Sequence, residues 1–505
     1  MPMEEFNRKE ENIDIGAIIS DASSPSTQEF KFIVKNGADV KKGQFVVTSS
    51  NVVGRVDEIL KRNDYLSNER LVTGIIERGR DQFPLFEEEI SVAVCEILGV
   101  IKDGKNMQRC VFPPSPGESV FYLADDVIFN ILGLKENGLM LGNVLFHKVP
   151  LLLDPSNLLR KHLAILAMSG SGKSYTVGVL IEELLRREVE KGTLAVVVVD
   201  PHGEYTVYAE DEQFGLLTEV IKGEDIRFTL ESMDKDLLKA LLSGYKDSVI
   251  DKVWNRIVHV LTSFKEIGTP DLDDVKEAKL PDEKKPEVIE DAIERLKAYK
   301  LFEKVEEPKN WRNLKMGKLY VVDLSDIDFP IKRQAIVKML SEKLFILRKS
   351  EQIPPFLLII EEAHNFVPSK ESKYNAVCRD SIEKIAREGR KFFACLCLVS
   401  QRPVYLSQTA LSQCNTHIIM RITNPYDVDH IKKISEKITS QMASSITSLR
   451  QGECIIAGEA VNFPTFAKIR EKMCKAVYHE MSLEEACKRW LEKEKKEIED
   501  INAFL

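Results

Sequence analysis

Leu163-Ala-Ile-Leu-Ala-Met-Ser-Gly-Ser-Gly-Lys-Ser-Tyr175 is the stretch that decides the fold. Its first four residues, Leu163 to Leu166, are apolar and unbroken, as in a strand buried on both faces. A turn of small residues follows, and from Tyr175 to Arg187 apolar side chains recur at helical spacing. Strand, glycine turn and helix in that order form a loop that can wrap phosphate. Gly170 and Gly172 let the backbone N–H groups along Ser169-Gly-Ser-Gly172 turn inward, and the helix start adds its positive dipole end. Lys173 would reach the β- and γ-phosphates of a nucleotide, the Ser174 hydroxyl would ligate Mg²⁺, and Tyr175 completes the binding segment. One position departs from the general pattern G-x-x-x-x-G-K-[ST]: the first glycine is Ala167, the smallest replacement.

Downstream, Phe356-Leu-Leu-Ile-Ile-Glu-Glu-Ala-His364 sets two carboxylates at the tip of a second buried strand. In a nucleotide hydrolase Glu361 would complete the Mg²⁺ shell opposite Ser174, and Glu362 would polarise the attacking water. Glu361 stands where Asp is commoner, which lengthens the reach by a methylene. Leu398-Val-Ser-Gln-Arg-Pro403 is a further strand with a polar tip, and Gln401 sits where a γ-phosphate sensor belongs. Between these strands, Ala386-Arg-Glu-Gly-Arg-Lys391 offers Arg387 or Arg390 as an arginine donated to a neighbouring subunit's site. The same residues also suit a solvated helix end that matches the dipole. His202 and His364 sit beside the site, where each suits contact with phosphate, orientation of a carboxylate, or equally an ordinary hydrogen-bonded structural histidine, and neither is assigned as a metal ligand.

Outward from these motifs, Leu194-Ala-Val-Val-Val-Val-Asp200 completes a βαβ unit, with Asp200-Pro-His-Gly-Glu-Tyr205 at the strand's carboxyl end, where ligands of open α/β sheets collect. Residues 12 to about 125 read as short strands between Gly, Pro, Ser and Asn clusters, a small barrel or sandwich. Residues 206–314 change to helical periodicity (Leu237, Leu238, Leu241, then Val253, Ile257, Val260, then Ile293, Leu296) around a charged loop from Asp271 to Lys285. A hairpin about Gly458-Glu459 and a helix capped by Ser482 and Glu485 close the chain.

A chain of 505 residues exceeds one ordinary core. With 44% hydrophobic and 30% charged residues, no apolar run of transmembrane length and no signal-peptide core at the N-terminus, the expectation is a cytoplasmic protein. Nine scattered cysteines lack zinc-site spacing, and Cys395 and Cys397 alternate onto one face of a strand. The net charge of −9 gives no support to a basic nucleic-acid stripe, although a few lysines in a channel would suffice.

Together, Ala164 to Ser174, Asp200-Pro-His-Gly-Glu-Tyr205, Ile360-Glu-Glu-Ala-His-Asn-Phe366, Ala386 to Lys391, Ser400-Gln-Arg-Pro403 and Arg421-Ile-Thr-Asn424 resemble, in order, the archaeal HerA-type hexameric DNA translocases, relatives of FtsK. The resemblance covers nearly the whole chain. It implies an α/β fold: a RecA-like P-loop ATPase core (126–205 and 315–458), an N-terminal HAS-barrel-like domain (1–125), a helical insertion (206–314) and a C-terminal hairpin and tail (459–505). It further implies ATP and Mg²⁺ as ligands, sites at the boundaries of a homo-hexamer, double-stranded DNA in the channel, and a NurA-type nuclease partner in DNA-end processing for recombinational repair. Lys370 and Lys373 are candidate pore contacts, which would touch phosphates rather than bases. The competing reading is an ATP-dependent protein remodeller or assembly scaffold, suggested by the acidic charge and the barrel.

Overall fold

In a computed structural model of the chain, residues 13–21, 24–63, 89–102, 106–265, 268–278, 280, 286–370, 376–435, 437–475 and 483–491 are described. The first sheet comprises β1 (Asp14–Ile19), β2 (Glu29–Val34), β3 (Phe45–Thr48), β4 (Val52–Arg62), β5 (Ile90–Lys102), β6 (Asn106–Gln108) and β7 (Ser119–Tyr122). Its order, β2-β1-β7-β3-β4-β5-β6, closes on itself through pairing of β2 with β5, so a barrel forms and β6 extends its rim. Phe30, Phe32, Ile15, Val46, Val56 and Val120 fill the interior. At Gly54 a Cβ would come within 2.6 Å of the Phe30 ring, so only glycine fits. Sequence patterning anticipates five of these seven strands and misses β6 and β7, the latter being the short strand that joins β1 to β3 and completes the ring.

The barrel is anchored by a buried cation. Arg55 donates to Asp57 Oδ1 (3.0 Å), pairs with Glu96, and donates to the carbonyl of Pro464 (3.0 Å), the residue just before the second-sheet strand Thr465–Ile469.

The second sheet comprises β8 (Leu139–Val144), β9 (Pro150–Leu153), β10 (Leu163–Leu166), β11 (Ala195–Asp200), β12 (Thr218–Lys222), β13 (Leu319–Asp323), β14 (Phe356–Ile360), β15 (Ala394–Ser400), β16 (Thr416–Ile419), β17 (Glu453–Gly458) and β18 (Thr465–Ile469). Its order is β12-β13-β11-β14-β15-β10-β16-β17-β18-β8-β9. The strands from β12 to β16 are parallel, and those beyond β16 are antiparallel. Strands β10, β11, β13, β14 and β15 are buried along their whole length, which is why their sequences are continuous apolar runs rather than alternating ones. Helices Lys173–Arg186, Pro330–Lys349 and Arg379–Glu388 are the crossovers that parallel pairing requires.

Two stretches differ from expectation. The span 206–314 carries helices Lys235–Leu241, Asp247–Ser263, Leu272–Glu277 and Pro286–Ala298, but also β12, the edge strand beside β13. Thr218-Glu-Val-Ile-Lys222 has only two apolar residues between charged ones, as befits an edge. The insertion's Leu237, Val253, Ile257 and Ile293 pack into the same core as Leu166, Val197 and Leu358, so the helices cap the sheet rather than forming a separate core. Near the end, β17 and β18 pair from Glu453↔Lys468 to Ile456↔Thr465, so the connection is wider than a tight turn at Gly458-Glu459. Gly458 instead continues β17 opposite Thr416. The helix at 483–491 is exposed, and the cap expected at Ser482 lies outside the described residues, as does Lys373. Cys395 and Cys397 are both buried in the apolar core. No described helix is long and apolar enough to cross a membrane.

Candidate active site

Parallel β10, β15 and β14 are neighbours, with Leu166 level with Ser400 and Ile360 level with Leu398. Their carboxyl ends therefore deliver the glycine loop, the polar tip at Gln401 and the acidic pair to one place. Gly170 (φ 75°) and Gly172 (φ 104°) both occupy left-handed backbone, which the loop's reversal into the helix requires. Ala167 keeps an ordinary φ, is fully buried, and donates its N–H to the Ser400 carbonyl (3.1 Å). The first loop position thus acts as the last residue of the strand, its methyl packed in the core, and alanine serves there as well as glycine.

Lys173 opens the helix and places Nζ 3.0 Å from Glu361 Oε2 and 2.5 Å from Glu362 Oε1. Burial opposes the ammonium charge, but the two carboxylates outweigh it and hold the Lys173 pKa above 10.5. Burial pushes the Glu361 carboxyl above its usual 4.5, while Lys173 and a hydrogen bond from the Tyr205 hydroxyl pull the other way. Glu362 adopts left-handed backbone (φ 48°), and its Oε2 is buried with no hydrogen-bond partner. An ammonium, a hydroxyl at Ser174 and two carboxylates, one of them with an orphaned oxygen, suit a magnesium nucleotide and a water. The residues fit the ligand: Lys173 and the loop would hold the phosphates, and Ser174 and Glu361 the metal.

Ser169, Gly170, Ser171, Gly172, Ser174 and Tyr175 all fall on the loop and first helical turn. Ser171 donates from Oγ to the Met168 carbonyl (2.7 Å), and the Tyr175 hydroxyl accepts the Lys472 N–H (2.5 Å). Gln401 is half-buried at the tip of β15, between the loop and the acidic strand. Arg387 and Arg390 are exposed and lie before β15, at its opposite end. A seven-residue strand separates them from Gln401, about 20 Å, so they do not join their own chain's site. Arg387 pairs with Glu383 (3.2 Å). His202 is exposed beside Asp200, whereas His364 is half-buried against Glu362. Lys370 is exposed.

Three contributors escape a reading by motif. Tyr205 is buried and hydrogen-bonded to Glu361; the turn Asp200-Pro-His-Gly-Glu-Tyr205 is the signal that pointed near it. Asp200 shapes that turn by accepting the N–H groups of His202 (3.2 Å), Gly203 (2.8 Å) and Tyr205 (2.8 Å). Glu182, fully buried in the helix after the loop, accepts from Arg470 (2.9 Å) and from the N–H groups of Met473 and Cys474 (both 2.9 Å), fixing that helix to the segment after β18.

Residues 139–344 match the family model described as "Helicase HerA, central domain". Across its length the chain is similar to the DNA double-strand break repair helicase HerA of Pyrococcus furiosus, 30% identical with 92% of each chain covered. The helicase of the same name from Sulfurisphaera tokodaii is 27% identical, covering 96% of this chain and 98% of its own. Among solved structures, VirB4 of Thermoanaerobacter pseudethanolicus superposes with a TM-score of 0.51 at 14% identity, over 68% of this chain and 98% of its own, a likeness of fold.

Proposed function

The chain belongs to the HerA helicase family, and we propose that it is an ATP-driven translocase on double-stranded DNA, acting in DNA-end processing for recombinational repair. The carrying observation is the convergence of glycine loop, acidic pair and Gln401 on adjacent parallel strand ends. Lys173 would leave the carboxylates for the β- and γ-phosphates, Ser174 and Glu361 would hold Mg²⁺, Glu362 would take the proton of the attacking water, and Gln401 would register the γ-phosphate. Bound Mg²⁺ supplies charge neutralisation on the phosphate oxygens.

Arg387 and Arg390 are exposed and far from their own loop, which favours a role at the site of a neighbouring copy. That supports a closed homo-oligomer, a ring of six in which each site is shared between subunits. DNA passes through the ring, contacted on phosphates by lysines such as Lys370, and a NurA-type nuclease partners the assembly. Residence in the cytoplasm follows from work on DNA ends.

Translocation is tested by displacement of a third strand annealed to linear duplex DNA. ATP-dependent release, absent with Glu362→Gln, is the expected result. Release that proceeds equally without ATP would overturn the reading.

A further inference from the structure

The oxygen that Lys173 leaves unbonded points to a residue outside the motif roles. Glu362 Oε2 is buried without a hydrogen bond, and His364 Nδ1 lies 3.3 Å from it. The same Nδ1 is 3.2 Å from Ser400 Oγ. The short turn Ala363–Asn365 sets up this approach: Glu362 takes left-handed backbone, its carbonyl accepts the Asn365 N–H (2.8 Å), and the imidazole returns over the carboxylate.

Which ring nitrogen carries the proton follows from the surroundings. Ser400 Oγ already accepts the Arg402 N–H (3.0 Å) and retains both a lone pair and a proton. A bare Nδ1 would turn its lone pair toward a carboxylate oxygen. A protonated Nδ1 faces two acceptors. The two acceptors therefore place a proton on Nδ1, and burial lowers the imidazole pKa from its ordinary 6.5 against the upward pull of Glu362.

We infer that His364 is the positioning residue for the water-polarising carboxylate, holding Glu362 Oε2 through Nδ1–H while Oε1 is released to the water. The inference rests on the role of Glu362 given above. While Lys173 grips Oε1, the imidazole is a second tether; once Lys173 turns to phosphate, it is the tether that remains among the contacts described here. Ser400 extends the connection. Its carbonyl accepts the Ala167 N–H (3.1 Å) and its chain neighbour is Gln401, so one imidazole ties the base to the phosphate loop and to the sensor tip.

The test compares His364→Phe, which keeps a ring but no N–H, with His364→Asn, whose amide can donate from nearly the same place. The Phe variant should lose roughly 10- to 100-fold in kcat for ATP hydrolysis, the range expected of a misplaced rather than missing group, with KM for ATP and binding of a fluorescent ATP analogue retained. The Asn variant should recover most of the rate. A Phe variant with wild-type kcat overturns the inference, as do two variants equally impaired with weakened nucleotide binding. Glu362→Gln is measured beside them: turnover retained there removes Glu362 from its role, whereas an inactive Gln variant beside a fully active Phe variant sinks the His364 inference alone.

Discussion

Lys173 faces two buried carboxylates with one ammonium, and that imbalance organises the chemistry. In the proposed reaction, nucleotide phosphate would compete with Glu362 for the same cation, so binding the ligand would also free the base. Glu362→Gln should lower kcat for ATP hydrolysis by about 100-fold or more while ATP binding persists, checked by phosphate release and equilibrium binding. Asp200 allows a second prediction. Burial is the largest influence and pushes its carboxyl from 3.8 up to about 6, against the backbone N–H groups that it accepts. Between those values the folded chain keeps a proton that the unfolded chain has lost, so stability is greatest at the acid end and falls as pH rises toward about 6. The loss is roughly 3 kcal/mol. Asp200→Asn should flatten thermal midpoints measured across that window; an unchanged slope would contradict the assignment. At this scale the motifs were legible because each needs a fixed residue type at a fixed spacing. Tyr205 received no role and His364 no specific partner, because their contacts depend on how the turns after β11 and β14 fold back, which spacing does not encode.

Among elements, the crossover helix after the phosphate loop depends on Glu182, whose carboxylate is fully buried against Arg470 and two backbone N–H groups. Arg470→Ala leaves that charge uncompensated and should cost about 3–5 kcal/mol, read as a lowered thermal midpoint. Glu182→Gln, which keeps an acceptor and removes the charge, should cost less. Strands buried on both faces were plain in the sequence, because Leu163–Leu166, Ala195–Val199 and Phe356–Ile360 contain no polar residue. β7 and β12 were not, since Ser119-Val-Phe-Tyr122 and Thr218-Glu-Val-Ile-Lys222 are too short and mixed to carry a period. The strands β17 and β18 illustrate the same limit: both were foreseen, but their connection was placed at a glycine that sheet pairing keeps within β17.

For the whole molecule, the candidate arginines lie at the far end of β15, and in the proposed ring another copy would complete each site. Mixing inactive Arg387→Ala or Arg390→Ala subunits with Glu362→Gln subunits should restore part of the ATP turnover, because some boundaries then pair an intact base with an intact arginine. No recovery in either mixture would remove both from a role in trans. The chain carries a net charge of −9, so in the proposed motor local lysines would have to hold the DNA, and binding should weaken steeply with salt. The measurement that bears most directly on the proposed motor is steady-state ATP hydrolysis at saturating ATP, with and without long linear duplex DNA and with the nuclease partner present. Stimulation by the duplex, lost in Glu362→Gln, is the predicted result; a rate indifferent to DNA would contradict it.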